Sequence, residues 1–353
     1  MRNLKDFYKN KRVFITGHTG FKGTWLTACL LKFGSKVMGY SKVDGRVKIY
    51  NKICYHKKVK NVYADILDYK FLRNKIVNFK PQIVFHLAAQ SLVSESYKFP
   101  LNTVLTNIIG TTNILNISRE IKSLCSLVII TSDKCYQNKE LKRGYRESDV
   151  LGGEDLYSAS KASAEIIFNA YSQSFFKNQK KYGYATVRAG NVIGGGDWSK
   201  NRIIPDCVRS IQKNKTLTIR NPKSTRPWQH VLEPISGYLL IAKKIFLNKK
   251  KYCGSWNFGP SSNETMKVKN IVELFLKSLN HRIRIIFKKS DFKEANLLKL
   301  NSSKGLKKLN WKNNWNMRKS IIKTAEWYSY FLKKNDIREI TYLQIKEYFK
   351  IKQ

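Results

Sequence analysis

The chain has 353 residues, of which 42% are hydrophobic and 12% are aromatic, and this composition excludes a largely disordered protein. Its 67 Lys and Arg residues against 24 Asp and Glu residues give a formal net charge of +43. The basic residues are spread along the whole chain in short groups, which favours a solvated basic surface over a dedicated nucleic-acid footprint. We therefore expect no nucleic-acid partner, and a basic surface would help to capture an anionic substrate.

The sequence also indicates the cellular compartment of the protein. No apolar run approaches the ~18–20 residues of a membrane span. The chain begins MRNLKDFYKNKRVFITG, in which a short strand leads straight into a glycine loop, so no signal peptide is predicted. The six cysteines form no CxxC pair and have no matched histidine spacing. The cysteine pattern predicts reduced thiols in a cytoplasmic protein without a metal site. The lack of a long apolar run predicts that the protein has no membrane partner.

Short apolar runs alternate with helical patterns through the first half of the chain. Strands are predicted at 12–17, 36–40, 61–65, 81–89, 126–133 and 183–190, and helices at 24–34, 69–80, 101–121 and 157–175. Strands separated by helices predict right-handed crossovers and an α/β fold with a Rossmann-type, doubly wound parallel sheet. After residue 190 the pattern loosens into glycine-rich loops, and an amphipathic helix is predicted at 320–334. We expect a first domain at 1–190 and a smaller C-terminal lobe at 191–353, some segments of which return to the first domain.

A glycine-rich loop follows the first predicted strand. The stretch ITGHTGFKGTWL places Gly17, Gly20 and Gly23 between that strand and a helix. This spacing lets backbone N–H groups approach a pyrophosphate at the positive end of the helix. A purely structural turn would not need three glycines at this spacing, so we predict that residues 1–190 bind a dinucleotide.

The GxxGxxG spacing resembles that of the extended short-chain dehydrogenase/reductase family. Three further segments strengthen the resemblance: DILD after the third strand, HLAAQ at the end of the fourth, and YSASKASAE, in which Tyr157 and Lys161 match the family's YxxxK pair. The alternative for this last segment is an ordinary helix start with Lys161 on a solvated face. The resemblance implies that Asp65 lies beside the adenine, and it implies this set of cofactor-binding residues: Gly17, His18, Thr19, Gly20, Phe21, Lys22, Gly23, Asp65, Ile66, Leu87, Ala88, Ala89, Asn107, Tyr157 and Lys161.

The end of the second strand bears on which cofactor is used. NAD-dependent members of the family often carry an acidic residue there, whereas this chain has Ser41 and Lys42, with Arg46 nearby. NAD is the expected cofactor. NADP stays open, because cationic residues can accept its 2′-phosphate.

The segment TSDKCY at the end of the strand before the YxxxK helix indicates the chemistry. It places a hydroxyl, an acid and an amine side by side at Ser132, Asp133 and Lys134. Simple sugar-nucleotide epimerases need only the hydroxyl, whereas all three groups suit a 4,6-dehydration of a nucleotide hexose. The alternative is that Asp133 caps a turn and Lys134 faces water.

Several segments together closely resemble the CDP-glucose 4,6-dehydratases. They are GHTGFKG, TSDKCY, RAGNVIGGGDW (188–198), RIIPD (202–206) and RPWQHVLEPISGYL (226–239), and Lys134 stands where dTDP-glucose 4,6-dehydratases have a glutamate base. The resemblance implies that Tyr157, assisted by Lys161, takes the O4 proton while a hydride passes from C4 to NAD⁺ and later returns to C6. Ser132 would polarise the 4-keto oxygen, Asp133 would protonate the departing 6-hydroxyl, and Lys134 would remove the C5 proton. A lysine base must be neutral when it acts, which the positive charges of Lys161 and the nicotinamide would favour.

The same resemblance implies the substrate-binding residues and the partners. Asn191, Arg202 and Arg226 would hold the diphosphate and nucleotide, and Gln90 is placed with them; the alternative for the arginines is two more surface cations. The implied substrate is CDP-glucose, and the implied product serves deoxysugar assembly for a bacterial surface polysaccharide. Two alternatives stay open: a dehydratase or epimerase of another nucleotide sugar, and a non-catalytic basic binding protein on this fold. The family resemblance suggests a homodimer through the helices that start near Leu101 and Tyr157, with a tetramer as the alternative.

Overall fold

The computed structural model describes residues 4–54, 58–178, 182–260, 265–288 and 297–351. The strands are β1 (Arg12–Thr16), β2 (Lys36–Ser41), β3 (Val59–Tyr63), β4 (Ile83–His86), β5 (Ser126–Ile130), β6 (Gly183–Arg188), β7 (Val192–Ile193), β8 (Leu217–Arg220), β9 (Thr225–Arg226), β10 (Gln229–His230), β11 (Gly254–Asn257), β12 (Met266–Lys267) and β13 (Ile285–Lys288). The helices are α1 (Leu4–Tyr8), α2 (Phe21–Lys32), α3 (Val47–Cys54), α4 (Tyr69–Phe79), α5 (Val93–Lys98), α6 (Pro100–Val104), α7 (Gly110–Ser118), α8 (Leu156–Tyr171), α9 (Ile203–Gln212), α10 (Leu232–Leu247), α11 (Lys249–Tyr252), α12 (Val268–Leu279), α13 (Ser303–Leu309), α14 (Met317–Leu332) and α15 (Ile337–Phe349).

A seven-stranded sheet has the strand order β11-β6-β5-β4-β1-β2-β3. Every neighbouring pair in it is parallel, and helices connect the strands, so the predicted Rossmann-type fold is confirmed. The seventh strand, β11, comes from the second half of the chain and was not predicted. The domain division at residue 190 stays a prediction, with β11 as a later segment that joins the first part.

The strands are buried on both faces because their side chains alternate between two apolar layers. Along β1, Val13 and Ile15 face one layer, which includes residues of α2 and α10, and Phe14 faces the other, which includes residues of α7 and α8. All three side chains are fully buried. Burial on both faces is what a parallel sheet covered by helices requires, and it explains why these strands read as continuous apolar runs.

Some predicted elements differ from the observed ones. The helix predicted at 24–34 begins earlier, at Phe21, directly after Gly20. The helix predicted at 101–121 contains a π-helical turn at Leu105–Ile109, which joins α6 to α7. The sequence pattern did not reveal α15, which packs back on α2 and α3; Phe349 of α15 meets Phe33 edge to face at 5.2 Å.

Smaller strand pairs build the second half of the chain. β7 pairs with β10, β9 with β12, and β8 with β13. This half is tied to the first by α2, because Nε1 of Trp25 donates to the carbonyl oxygen of Gly195 at 2.8 Å. Within the described ranges, no helix is both long and apolar enough to cross a bilayer.

The parallel arrangement decides where a site can form. The carboxyl ends of β1 to β6 lie along one edge of the sheet, and ligands of open α/β folds bind in the crevice outside that edge. The glycine loop, the segment at 87–90, the turn at 131–136 and the segment after β6 all begin at this edge. The sheet therefore gathers most of the predicted site residues.

Candidate active site

The glycine loop has the backbone shape that a diphosphate needs. Gly17 has φ of +71°, and a Cβ atom there would lie 2.7 Å from the backbone nitrogen of Ala88. A Cβ atom on Gly23 would lie 2.1 Å from the carbonyl oxygen of Gly17, so only glycine fits both positions. Gly20 provides no side-chain cap for α2, and the first turn holds no acidic residue. The N–H groups at the positive helix end are thus available to an anion, and the loop fits the diphosphate of a dinucleotide.

Hydrogen bonds hold the end of β4 against this loop. Oγ1 of Thr16 accepts the N–H groups of Leu87 and Ala88 at 3.2 and 3.1 Å. The backbone of Ala88 therefore lies directly beside Gly17, and Ala89 follows it along the same edge. These bonds bring the predicted residues 87–89 together with the glycine loop.

The end of β3 and the end of β2 are joined by an ion pair. Nζ of Lys42 lies 2.7 Å from Oδ2 of Asp65, and Ile66 is buried next to it. Arg46 forms an ion pair with Asp44. The two cations that the sequence offered for a 2′-phosphate are thus each paired with a carboxylate.

His18 fills the space between the loop and β2. Its ring is fully buried, and a Cβ atom on Gly39 would lie 2.2 Å from it. Nδ1 of His18 is 2.8 Å from Oγ of Ser41, which also accepts the N–H of Thr19 at 3.4 Å. Burial lowers the pKa of His18 to about 4, so the ring is a neutral spacer that fixes this part of the loop.

Phe21 and Lys22 reach from the start of α2 toward the second half of the chain. A Cβ atom on Gly194 would lie 3.2 Å from Cζ of Phe21. Burial first, and then the positive charge of Arg202, lowers the pKa of Lys22 to about 8, while Asp133 opposes the change. Lys22 therefore shares its surroundings with predicted catalytic and substrate-binding residues, although the sequence placed it only with the cofactor.

The π-helical turn at Leu105–Ile109 places the side chain of Asn107 in the interior. Its Oδ1 accepts the N–H of Gln90 at 2.8 Å, and its Nδ2 donates to the carbonyl oxygen of Gln90 at 3.0 Å and to Oγ of Ser160 at 2.9 Å. Asn107 thus fixes the segment after β4 against α8. Its contact with the cofactor stays a prediction.

The acid and hydroxyl predicted at the end of β5 meet in one short turn. Oγ of Ser132 donates to Oδ1 of Asp133 at 2.9 Å and accepts the N–H of Lys134 at 3.2 Å. Ser132 is therefore the cap of this turn, and the alternative in which Asp133 has that role is wrong. Asp133 is 6% exposed, and a Cβ atom on Gly190 would lie 2.8 Å from its Oδ2.

Burial also makes Asp133 a weaker acid than an exposed aspartate. Loss of hydration raises the pKa of its carboxyl group, although Lys134 and the Ser132 hydroxyl oppose the change. Asp133 therefore keeps its proton to a higher pH than an exposed aspartate does. A general acid needs this property.

The start of α8 orients the Tyr157 and Lys161 side chains. Asp155 caps the helix by accepting the N–H of Ser158 at 2.9 Å, which places Tyr157 in the first turn and Lys161 one turn later on the same face. Their exposed fractions are 7% and 5%. The alternative of a solvated Lys161 is therefore wrong.

Helix α8 packs against the turn at 133–135, and Tyr157 lies in the first turn of this helix. Burial, the largest cause, raises the pKa of Tyr157 to about 12, with Asp133 adding to the change and Ser132 opposing it. Burial first, and then Lys22, lowers the pKa of Lys161 to about 8. The protein by itself thus keeps the phenol protonated, and further positive charge at the site is needed to form a phenolate.

Arg202 lies at the same site and has a partner that the sequence did not identify. Its Nη1 is 2.9 Å from Oδ2 of Asp197, whose side chain is 5% exposed. Burial opposes the change, but Asp197 and, to a smaller extent, Tyr157 raise the pKa of Arg202. The hydroxyl of Tyr328 donates to the carbonyl oxygen of Asp197 at 2.5 Å and so anchors the loop. The GGGDW pattern marked a loop here, but nothing in the sequence distinguished its aspartate.

Asn191 directly precedes β7, and Arg226 is the second residue of β9. The carbonyl oxygen of Asn191 accepts the N–H of Gln229 at 3.0 Å. Nη1 of Arg226 donates to the carbonyl oxygen of Thr225 at 3.1 Å. Their roles in substrate binding stay predictions, and so does that of Gln90, whose Nε2 donates to the carbonyl oxygen of Leu92 at 3.0 Å.

No group of three or more His, Cys, Asp or Glu side chains in the described part of the chain is arranged to hold a metal ion. All six cysteines are free thiols.

A parallel sheet with a glycine loop at its edge, a buried YxxxK pair and an adjoining acid-bearing turn define a dinucleotide-binding enzyme of the extended short-chain dehydrogenase/reductase type. The chain belongs to the family described as GDP-mannose 4,6 dehydratase, whose family model matches residues 14–324. The family resemblance found in the sequence is thereby confirmed.

Two similar proteins are named as 4,6-dehydratases of nucleotide sugars. The chain is 40% identical over 350 residues to the CDP-glucose 4,6-dehydratase of Salmonella typhimurium, and the match covers 98% of both chains. It is 30% identical over 259 residues to the dTDP-D-glucose 4,6-dehydratase of Dictyostelium discoideum, covering 69% of this chain and 58% of that one.

Solved structures share the fold at low sequence identity. An epimerase of Methanothermobacter thermautotrophicus superposes with a TM-score of 0.83 at 20% identity and covers 96% of this chain and 97% of its own. The dTDP-glucose 4,6-dehydratase of Bacillus anthracis, solved in complex with NAD, superposes with a TM-score of 0.77 at 20% identity and covers 92% of this chain and 98% of its own. Their similarity supports the architecture alone.

Proposed function

We propose that this protein is an NAD-dependent CDP-glucose 4,6-dehydratase that converts CDP-glucose to CDP-4-keto-6-deoxyglucose and water. The observation that carries the proposal is that α8, with the buried Tyr157 and Lys161, packs against a turn that holds Ser132, the buried acid Asp133 and the amine Lys134. The choice of CDP-glucose is supported by the 40% identity, over nearly the whole chain, to the Salmonella enzyme of that name.

The glycine loop would hold the cofactor diphosphate, and the segment at 87–89 would line its other side. Bound NAD supplies a hydride acceptor at C4 of the sugar and a hydride donor at C6, so no external reductant is consumed. NAD is favoured over NADP because Lys42 and Arg46 are already paired with carboxylates.

The side chains of the site would move the protons. Tyr157 takes the proton from O4 as the alcohol becomes a ketone, with Lys161 stabilising the phenolate. The ketone makes the C5 proton acidic, and Lys134 removes it while Asp133 gives a proton to the 6-hydroxyl, which leaves as water. A proton then returns to C5, so the net change in the sugar is the loss of one water molecule.

Several cations would receive the anionic substrate. Arg202 offers a planar guanidinium for phosphate oxygens and is held in place by Asp197. Lys22 adds a second positive charge at the same site. We place Asn191 and Arg226 at the nucleotide end, and Gln90 at the sugar.

The proposed function is tested by incubating the protein with CDP-glucose and, separately, with dTDP-, UDP- and GDP-glucose, with and without added NAD⁺. We expect a 4-keto product from CDP-glucose. Formation of that product only from another nucleotide sugar would support a different dehydratase, and no product from any of them would refute the proposal. Tyr157→Phe should abolish turnover, and Lys134→Ala that retained full turnover would exclude Lys134 as the C5 base.

We further propose a homodimer built through α6, α7 and α8. This proposal is supported by the exposed apolar side chains of Leu101, Ile109, Ile166 and Phe175, which are 69%, 42%, 55% and 44% exposed on these helices and the π-turns that adjoin them. Exposed apolar side chains grouped in this way are typical of an interface. A cytoplasmic location is supported by the six free thiols, and the 4-keto-6-deoxy product suits deoxysugar assembly for a bacterial surface polysaccharide.

A further inference from the structure

A buried carboxylate lies one helical turn beyond Lys161. Glu165 is fully buried and accepts hydrogen bonds from Oγ1 of Thr131 at 2.5 Å, from Oγ1 of Thr186 at 2.8 Å, and from Nε and Nη2 of Arg188 at 2.9 and 2.8 Å. Burial alone would raise the pKa of Glu165, but Arg188 and these hydrogen bonds hold it below its usual value. Glu165 is therefore a charged partner that joins α8 to the ends of β5 and β6.

Arg188 extends the same network to the far side of the catalytic turn. Its side chain is 1% exposed, and its remaining nitrogen, Nη1, donates to the hydroxyl of Tyr136 at 2.6 Å and to the carbonyl oxygen of Glu147 at 3.2 Å. The guanidinium carbon also lies 4.8 Å from the centre of the Tyr136 ring. The hydroxyl of Tyr136 in turn donates to Oδ1 of Asn257 on β11 at 2.8 Å.

Thr131 and Tyr136 are the residues on either side of the turn at 132–135. This turn has left the sheet, because β5 ends at Ile130. Its two flanking residues are thus held by one ion pair, Thr131 through the carboxylate and Tyr136 through the guanidinium. The carboxylate belongs to α8, the helix that carries Tyr157 and Lys161.

We infer that the Glu165–Arg188 pair positions the turn at 132–134 relative to Tyr157 and Lys161, so that both parts of the catalytic set meet one sugar at once. This inference rests on the proposed 4,6-dehydration. In that reaction Tyr157 and Ser132 act at O4, and Asp133 and Lys134 act at the C6 hydroxyl and at C5 of the same bound molecule. A displacement of the turn by a fraction of an ångström would slow elimination more than oxidation at C4, because elimination depends on two groups of the turn whereas Tyr157 and Lys161 stay fixed in α8.

The chain offers mild variants and a matched control. Tyr136→Phe removes the hydroxyl that Arg188 holds, and Thr131→Val removes the hydroxyl that Glu165 holds, while both keep the size of the side chain. The control is Tyr145→Phe: the Tyr145 ring stacks on that of Tyr136 at 5.0 Å and is equally buried. Its hydroxyl donates to Oδ1 of Asn138 at 2.9 Å and accepts the N–H of Lys139, and neither partner contacts Glu165 or Arg188.

The measurements separate positioning from stability. For each variant we would measure kcat and KM for CDP-glucose, the affinity for NAD⁺ by titration, the melting temperature, and the absorbance of reduced nicotinamide during the steady state. Tyr136→Phe and Thr131→Val should each lower kcat about tenfold, which corresponds to about 1.4 kcal/mol of transition-state stabilisation. KM and cofactor affinity should stay within about twofold of wild type. Reduced nicotinamide should accumulate, because oxidation outpaces elimination.

Three results would overturn the inference. One is a fall in kcat without accumulation of reduced nicotinamide, and another is the same change in the Tyr145→Phe control. The third is full turnover by either Thr131→Val or Tyr136→Phe. If one of the two variants fails to fold, the other still decides the matter, because each holds a different end of the turn. Failure of wild type to act on CDP-glucose would instead refute the proposed function, and the two failures are thus distinguishable.

Discussion

A buried carboxylate outside the active site should make the stability of the protein depend on pH. Glu233, in the first turn of α10, is fully buried. It accepts the N–H of Trp315 at 2.8 Å and the hydroxyl of Tyr348 at 2.7 Å. These bonds attach α15, which carries Tyr348, to α10. Burial raises the pKa of Glu233 to about 7 from an ordinary 4.5, against the effect of these hydrogen bonds.

The size and sign of the effect follow from the two pKa values. Between about pH 4.5 and about pH 7 the folded protein keeps a proton on Glu233 that the unfolded chain has lost, so the free energy of unfolding falls as the pH rises. The contribution is fully present below pH 4.5 and is lost as the pH passes 7. At about 1.4 kcal/mol per pH unit, the loss amounts to about 3 kcal/mol over this interval.

Glu233→Gln tests this reasoning, because glutamine resembles the neutral carboxyl group at every pH. Its amide oxygen accepts the same N–H groups, and the hydroxyl of Tyr348 has a second partner in Oγ of Ser236 at 3.1 Å. Urea unfolding from about pH 4 to about pH 8 should show the variant level with wild type at the acidic end and about 3 kcal/mol more stable at the other. The exposed Glu120→Gln serves as the control and should follow wild type. A constant difference between Glu233→Gln and wild type across the range would refute the reasoning.

Three further substitutions test the site and the assembly. Gly17→Ala should weaken NAD⁺ binding at least about tenfold, because the new Cβ meets the backbone of β4's end and the positive φ disfavours alanine; Gly45→Ala, which meets no atom within 4 Å, should bind normally in the same titration. Asp197→Asn should raise KM for the nucleotide sugar about tenfold with a smaller effect on kcat, since Arg202 loses its buried carboxylate partner; an unchanged KM would count against this role. Leu101→Asp should shift the protein from dimer to monomer in sedimentation, and an unchanged mass would contradict the proposed interface.

The local patterns predicted the central part of the fold well. Continuous apolar runs at β1, β4 and β5 marked strands buried on both faces, and the glycine spacing marked the start of α2. By contrast, β11 has four residues and follows irregular segments, so its pairing with β6 depends on a contact that no local pattern reports. α15 was missed because its apolar face is defined by packing on α2 and α3.

The residues of the site also differ in how far the sequence could predict them. Tyr157 and Lys161 are one turn apart, so their shared helix face followed from spacing alone. Glu165 stands in the same nine-residue segment, but its role depends on Arg188, which lies 23 residues further along the chain. The role of Asp197 could not be predicted for a related reason, because only the folded loop brings its carboxylate to Arg202. A polar residue's partner is a property of the tertiary structure, and sequence spacing reveals it only within one element.

The electrostatics of the site connect substrate binding to activation of the phenol. Burial is the largest cause that lowers the pKa values of Lys22 and Lys161 to about 8 each, and it raises that of Tyr157 to about 12. A diphosphate bound at Arg202 would favour the charged form of both lysines, because opposite charges raise the pKa of an ammonium group. A fully charged Lys161 in turn stabilises the phenolate of Tyr157. Because such coupling is reciprocal, we expect the groups proposed to bind the anionic part of the substrate to activate the proposed base, Tyr157, as well.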